Sequence, residues 1–325
     1  MPSNPAISRL SRPHVTLIVL GLLALVSVVG FMTIGARGNW GFVLPFRGMK
    51  LAGLILVGYA VAVSTLMFQT VTNNRILTPS IMGFDALYVL VQTSLVFFAG
   101  TAAFVTISAP MRFGMEILLM LGFSALLFRW LFLGARRSLH LLVLVGIVFG
   151  VLFRSLSSFM QRIMDPNAFQ VLQDSFFASF QTLHPELLGA SVVLIAGVSL
   201  VLWWLSHSFD VLALGRETAI GLGVPYRRNV FIILICIAVL VSVSTALVGP
   251  VSFFGLLVVS LAHGLTGSAR HRYLLPAAVL LAVICLVGGQ LVLERVFAFN
   301  TALSIIVEFL GGLVFIYLVL KGAAR

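Results

Sequence analysis

Nine stretches of predominantly apolar residues, each near the length of about 20 residues that a helix needs to span a bilayer, follow one another through the chain. They cover positions 14–34, 49–70, 85–108, 116–133, 139–159, 187–205, 230–247, 273–293 and 301–320. A tenth stretch, 253–265, is apolar but too short to cross as a straight helix. Only 9% of the 325 residues are charged and 61% are hydrophobic, where a soluble domain carries about 25% charged residues. Too few polar side chains exist to cover an aqueous surface, so lipid is the solvent for most of this chain.

Basic residues decide whether the short stretch crosses. With ten crossings from an inside N-terminus, Arg9, Arg12, Arg75, Arg129, Arg136, Arg137, Arg216, Arg227, Arg228, Arg270, Arg272, Lys321 and Arg325 lie inside. Arg37, Arg47, Lys50, Arg112, Arg162 and Arg295 lie outside, a split of thirteen to six. If 253–265 dips in and returns, four of the inside residues and one of the outside residues change sides, and the split becomes ten to nine. The positive-inside bias favours ten crossings, and a short segment can cross if protein shields its ends from lipid. The apolar run from Val15, behind Arg9 and Arg12, is longer than a signal-peptide core and reads as a retained first helix. The expectation is an all-α polytopic membrane protein of about ten spans, one of them short, forming a single unit over 1–325 with both termini inside.

The net charge of +11 sits in short loops rather than on one exposed face, so it orients helices at the membrane and gives no reason to expect nucleic acid. Cys236 and Cys285 fall in different apolar spans and read as small packing residues. The longest outside connection, 160–186, holds Phe169, Phe176, Phe177 and Phe180, suggesting a short amphipathic helix at the interface.

Catalytic sets are missing. The only lysines are Lys50 and Lys321, and neither belongs to a phosphate-cradling Gly-x-x-x-x-Gly-Lys loop. No His-Glu-x-x-His pair occurs, and the six histidines are scattered, so neither a metal nor a cofactor is expected in this chain. Ionisable residues inside spans are costly in lipid and face a cavity or a partner. Arg154 and Glu308 are the two such residues; each reads either as part of a translocation path or as a structural polar contact. Ser155, with Ser157 and Ser158, either lines a polar path or lets helices pack closely.

Two blocks stand between the spans. The first is Asn73-Asn74-Arg75-Ile76-Leu77-Thr78-Pro79-Ser80-Ile81-Met82-Gly83. The second runs over 212–224 within the inside connection 206–229, where Leu212, Leu214, Ala219, Ile220 and Leu222 give a short helix pair one apolar side. Arg216 and Glu217 take the exposed side, and Gly215, Gly221 and Gly223 permit tight turns. Such an element either inserts into a groove on a soluble partner or lies at the interface as an ordinary helix.

These blocks resemble those of the permeases of bacterial ATP-driven importers for vitamin B12 and ferric siderophores. Asn74, Pro79, Ile81 and Gly83 match the family's Asn-Pro-Leu-Ala-Asp-Pro-Gly-Ile-Leu-Gly. Leu214, Gly215, Ala219, Leu222, Gly223 and Val224 match its Leu-Gly-x-x-x-Ala-x-x-Leu-Gly-Val. The run 253–260 aligns with Phe-Val-Gly-Leu-Ile-Val-Pro-His, except that Val259 and Ser260 replace Pro-His. Arg75 and Thr78 replace a Pro and an Asp in the first block, and a Glu-x-Pro-Val-Gly motif is not evident around 300–304.

The resemblance implies a permease subunit that moves a ferric siderophore by alternating access, breaking no bond itself. It also implies a second permease subunit (the same chain or a different one), cytoplasmic ATPase subunits that carry ATP and Mg, and an outside siderophore-binding protein. On that reading Leu212, Leu214, Gly215, Arg216, Glu217, Ala219, Leu222 and Gly223 form the ATPase-coupling element. Arg47, Lys50 and Arg295 face the binding protein, and Asn74, Pro79, Arg154, Ser155 and Glu308 belong to the pathway, all in the bacterial cytoplasmic membrane. The rival reading is a secondary transporter driven by an ion gradient, supported by Glu308 and the short eighth segment. A membrane-embedded enzyme is disfavoured by the missing catalytic sets.

Overall fold

The computed structural model describes residues 12–35, 38, 40–133, 139–181, 183–296 and 303–320. Arg9, Arg37, Arg136, Arg137, Lys321 and Arg325 of the charge count, residues 300–302 and both termini lie outside the described residues. The helices are α1 (Arg12–Thr33), α2 (Trp40–Thr72), α3 (Phe84–Thr106), α4 (Ala109–Leu133), α5 (Leu139–Ile163), α6 (Pro166–Gln173) and α7 (Pro185–Leu205). They continue as α8 (Phe209–Leu212), α9 (Arg216–Gly221), α10 (Tyr226–Val248), α11 (Phe254–Thr266), α12 (His271–Arg295) and α13 (Leu303–Leu320). Among the described residues there is no strand.

Among the described residues eight helices are long and apolar enough to cross a membrane, namely α1 to α5, α7, α10 and α12. Two shorter apolar helices, Phe254–Thr266 and Leu303–Leu313 of α13, bring the set to the expected ten. α2 and α10 pack together at the centre, with 67% and 72% of their apolar stretches buried. The figure is 17% for α1 and 22% for α5, so those helices form the rim and turn their leucines and valines outward.

α2 starts at Trp40, nine positions before the expected span, and holds Pro45 inside it. Charge and proline suggest a later start. The helix starts earlier because Arg47, ahead of the expected span, finds partners: its Nη1 donates to the carbonyls of Phe31, Met32 and Ile34. The expected interfacial helix is shorter than the phenylalanine spacing suggests. α6 keeps only Phe169, Phe176 follows in a 3-10 turn, and Phe180 is buried in the core.

α11 is short because the backbone before it is irregular within the protein. Gly249 (φ 101°) ends α10, and Pro250 and Val251 are buried. A Cβ on Gly249 would stand 3.2 Å from the Ala178 backbone, and Ser179 N–H donates to the Val248 carbonyl at 2.8 Å. Non-helical backbone is tolerated at membrane depth when protein encloses it. α11 then packs on α12, α2 and α13, and Val259 and Ser260 fall inside it as ordinary helical residues.

Contacts define the two ends of the bundle. At one end Thr16 Oγ1 of α1 lies 3.2 Å from the Leu265 carbonyl of α11, and the start of α12 at His271 bonds Asp210 of α8. At the other, Arg47 of α2 and Arg295 of α12 meet the last turn of α1.

Candidate functional site

The α8–α9 element divides its apolar residues between two duties. Leu212 and Ala219 are 1% and 0% exposed and anchor it to the bundle. Leu214, Ile220 and Leu222 point away from it, 62%, 50% and 61% exposed. The single apolar side expected from the spacing is therefore split. Gly215 (φ 96°) allows the reversal between α8 and α9, and Gly223 (φ 80°) ends the pair. Arg216 and Glu217 are both exposed, on the same side of the bundle as the three outward apolar residues. An apolar patch rimmed by charge at the end of a membrane bundle marks a surface for contact with protein or lipid.

The first block is a broken helix that returns into the bundle. α2 ends at Thr72, Asn73 takes φ 49°, and Asn74 Oδ1 accepts the Ile76 N–H at 3.0 Å. This Asx turn reverses the chain. Pro79 opens a 3-10 turn, Pro79–Met82, whose end fits onto two glycines of α5. A Cβ on Gly146 would lie 2.8 Å from Met82 Cα, and one on Gly83 (φ 90°) would lie 3.1 Å from Gly150 Cα. Glycines four apart are the signal that could have revealed this close approach.

Behind that turn lies a small polar cavity of about 20 Å³, lined by Ser64 and Thr65 of α2, Pro79, Asp85, Ser244, Thr245 and Ser252. Ser252 Oγ donates to Asp85 Oδ2 at 2.5 Å, and Ser252 N–H points to Glu308 Oε1 at 3.5 Å. Arg154 reaches the same place from α5, its Nη2 lying 3.6 Å from where a Cβ on Gly150 would stand, beside Gly83. The structure thus brings Pro79, Arg154 and Glu308 together around Asp85 and Ser252, which the sequence analysis passed over. Asn74 stands apart at the end of α2, and Ser155 is exposed on α5 next to Arg154.

The other end holds the candidate docking cations. Arg47 Nη1 donates to the carbonyls of Phe31, Met32 and Ile34 at 2.8, 3.2 and 2.9 Å. Arg295 Nη2 donates to the same Ile34 carbonyl at 2.5 Å. Both guanidiniums satisfy carbonyls that the end of α1 leaves open, where positive charge is also favoured by the helix dipole. Lys50 corrects the sequence expectation. It is 6% exposed, and its ammonium is directed to Gln181 and Glu294 inside the bundle rather than to an outside partner.

A further set went unnoticed in the sequence. Asp210 of α8 accepts from the backbone N–H and from Nδ1 of His271 at 2.8 and 2.7 Å, and His271 Nε2 lies 2.6 Å from Thr70 Oγ1. These residues are 61 and 201 positions apart in sequence, and no local pattern connects them.

A bundle of ten apolar helices, with an interrupted backbone around a polar cavity and an exposed apolar-and-charged element at one end, defines a multi-pass membrane transport subunit. The chain belongs to the FecCD transport family, whose profile matches residues 15–321. It is 48% identical over 310 residues to the petrobactin import system permease protein YclO of Bacillus subtilis, covering 95% of this chain and 98% of that one. It is 33% identical to the petrobactin import system permease protein FatC of Bacillus anthracis, over 95% of this chain and 88% of that one. A solved inward-facing structure described as a metal-chelate type ABC transporter superposes with a TM-score of 0.82 at 25% identity, covering 96% of this chain and 100% of that one. The protein is an ABC importer permease, a transport subunit rather than an enzyme. The secondary-transporter reading falls with that membership.

Proposed function

We propose that this permease carries a ferric siderophore, of the petrobactin kind, across a bacterial cytoplasmic membrane by alternating access. The substrate class follows its petrobactin-permease relatives. Power comes from ATPase subunits that bind ATP and Mg and dock on α8–α9. A second permease subunit completes the pore, and a binding protein delivers the chelate at the Arg47–Arg295 end, where steering by opposite charge sets its register.

The observation that carries the reading is the α8–α9 surface. Leu214, Ile220 and Leu222 are held outward by an element whose Leu212 and Ala219 are locked in the core. An isolated globular fold has no reason to present such a rigid apolar patch; a surface that receives force from a soluble motor does. Charge supports the orientation. Arg12, Arg75, Arg129, Arg216, Arg227, Arg228, Arg270 and Arg272 lie at the α8–α9 end, against Arg47, Lys50, Arg112, Arg162 and Arg295 at the other. The positive-inside bias makes the α8–α9 end cytoplasmic, with both termini on that side.

Purification of the tagged chain from its native membrane in mild detergent, with partners identified by mass, tests the assembly. Recovery of a P-loop ATPase and a permease partner is expected. A chain that comes away alone and moves substrate into vesicles without ATP would sink the reading. Uptake of iron-loaded petrobactin by the reconstituted complex tests the substrate.

A further inference from the structure

The end of the bundle that carries α8–α9 contains a row of hydrogen bonds whose purpose the docking surface alone does not explain. It begins at the Asp210 side chain, which is 51% exposed on α8, and runs inward to a His271 side chain only 7% exposed. Asp210 Oδ1 takes two bonds from one residue, the backbone N–H of His271 and its ring Nδ1, at 2.8 and 2.7 Å. His271 is the first residue of α12, so this carboxylate satisfies an amide that the helix leaves open and sits where the helix dipole favours negative charge. Phe209, 1% exposed, packs edge-on against the same ring with centroids 5.7 Å apart.

The ring carries the row onward to α2. Its Nε2 lies 2.6 Å from Thr70 Oγ1, and Thr70 Oγ1 lies 2.8 Å from the Leu66 carbonyl. Because the carboxylate only accepts, Nδ1 holds a proton. If Nε2 is protonated too, it donates to Thr70, whose own O–H donates to the Leu66 carbonyl; every group is then paired. If Nε2 is bare, the single Thr70 proton serves either the ring or the Leu66 carbonyl. Where Thr70 gives it to the ring, both ring nitrogens stay bonded, so one side chain ties α8 to α12 and α2 at once.

Both tied helices lead to distant places. α2 reaches Thr65 and Ser64 of the polar cavity little more than a turn before Thr70. α12, 25 residues and about 37 Å long, ends at Arg295 on the last turn of α1. We propose that Asp210, His271 and Thr70 are the link through which movement of α8–α9 is passed to α12 and α2. The proposal rests on the reading of α8–α9 as the ATPase-docking element. These are positioning residues: they touch neither substrate nor nucleotide, and they make a shift of a four-residue helix a shift of two membrane helices.

The test uses the assembled complex with its ATPase, in liposomes, and reads the far end of α12 without cargo. V296C, placed next to Arg295 in a Cys236→Ala/Cys285→Ala background, reports thiol-labelling rate before and after MgATP. The parent complex is expected to change its labelling rate several-fold on MgATP. Asp210→Ala and Thr70→Val should abolish that response while the complex keeps its ATPase and hydrolyses ATP at the parent rate. Thr70→Ser, which restores the hydroxyl, should return the response. The double variant should be no worse than either single, because both break one row. An unchanged response in Asp210→Ala and Thr70→Val overturns the link, as does a parent in which the ATPase is present but α12 does not respond. Variants that shed the ATPase overturn it as well, because Asp210 would then belong to the docking surface. A parent that retains no ATPase brings down the docking reading first and the link with it.

Discussion

Arg47 and Arg295 donate to one and the same atom, the carbonyl oxygen of Ile34, at 2.9 and 2.5 Å. Arg295 is 261 positions away from that carbonyl in sequence, so α2 and α12 are joined through the last turn of α1. Arg47→Ala and Arg295→Ala should each lower stability by roughly 1 kcal/mol through loss of the charged cap, read as a lower melting temperature in detergent. Because the two donors share an acceptor, the double variant should cost less than the sum. If either arginine also meets the binding protein, its alanine variant weakens that complex more than the change in stability explains. Additive losses would rule out coupling through the shared carbonyl, and unaltered binding-protein affinity would rule out the docking role.

The fit of the 3-10 turn against α5 makes a steric prediction. Gly146→Val places a branched side chain where even a Cβ would lie 2.8 Å from Met82 Cα, and backbone at that distance cannot yield cheaply. We expect a loss of about 1–3 kcal/mol from overpacking, seen as poor yield and early thermal aggregation. Gly114→Ala, where nothing stands within 4 Å of an added Cβ, should match the parent. Equal behaviour of the two would contradict the packing described here.

Ser252 and Asp85 make a half-buried polar pair that depends on both partners. Ser252→Ala removes a donor from a half-buried carboxylate and should cost about 1 kcal/mol. Glu308→Gln keeps the shape near Ser252 and removes charge from the cavity edge, so uptake of iron-loaded petrobactin should fall while melting temperature holds. Unchanged uptake in Glu308→Gln would remove Glu308 from the pathway.

At α8–α9 exposure separates docking from folding. Leu222→Asp alters a side chain 61% exposed and should leave melting unchanged while weakening ATPase retention by about tenfold or more. Leu212→Asp, at 1% exposure, should instead destabilise the chain itself. Loss of stability in both variants would mean that the outward patch is covered by this chain rather than by a partner.

Much of the architecture is readable from local pattern. Span length and the distribution of arginines argue for ten segments, and glycines at 215 and 223 mark the turns of α8–α9 before any coordinates are seen. What resists reading is contact across distance. Asp85 and Ser252 are 167 positions apart, and a single serine after a proline carries no periodic signal. Arg47 looks like a surface cation because its partners are backbone carbonyls, which every residue possesses. Lys50 misleads for a related reason: its partners, the Gln181 amide and the Glu294 carboxylate, come from segments far along the chain. Leu214 and Leu222 belong to the same block as Leu212, yet they lie just past the ends of α8 and α9 and face outward.

The thirteen residues of α11 also bear on how this protein is made. A segment that short cannot hold itself in hydrocarbon as it leaves the ribosome. Its neighbours along the chain, α10 and α12, can. Insertion of α11 therefore waits for the synthesis of α12, and the pair enters the bilayer together, against α2 already in place. Truncation just after Gly267 should therefore leave α11 without its partner and give a chain that the cell degrades.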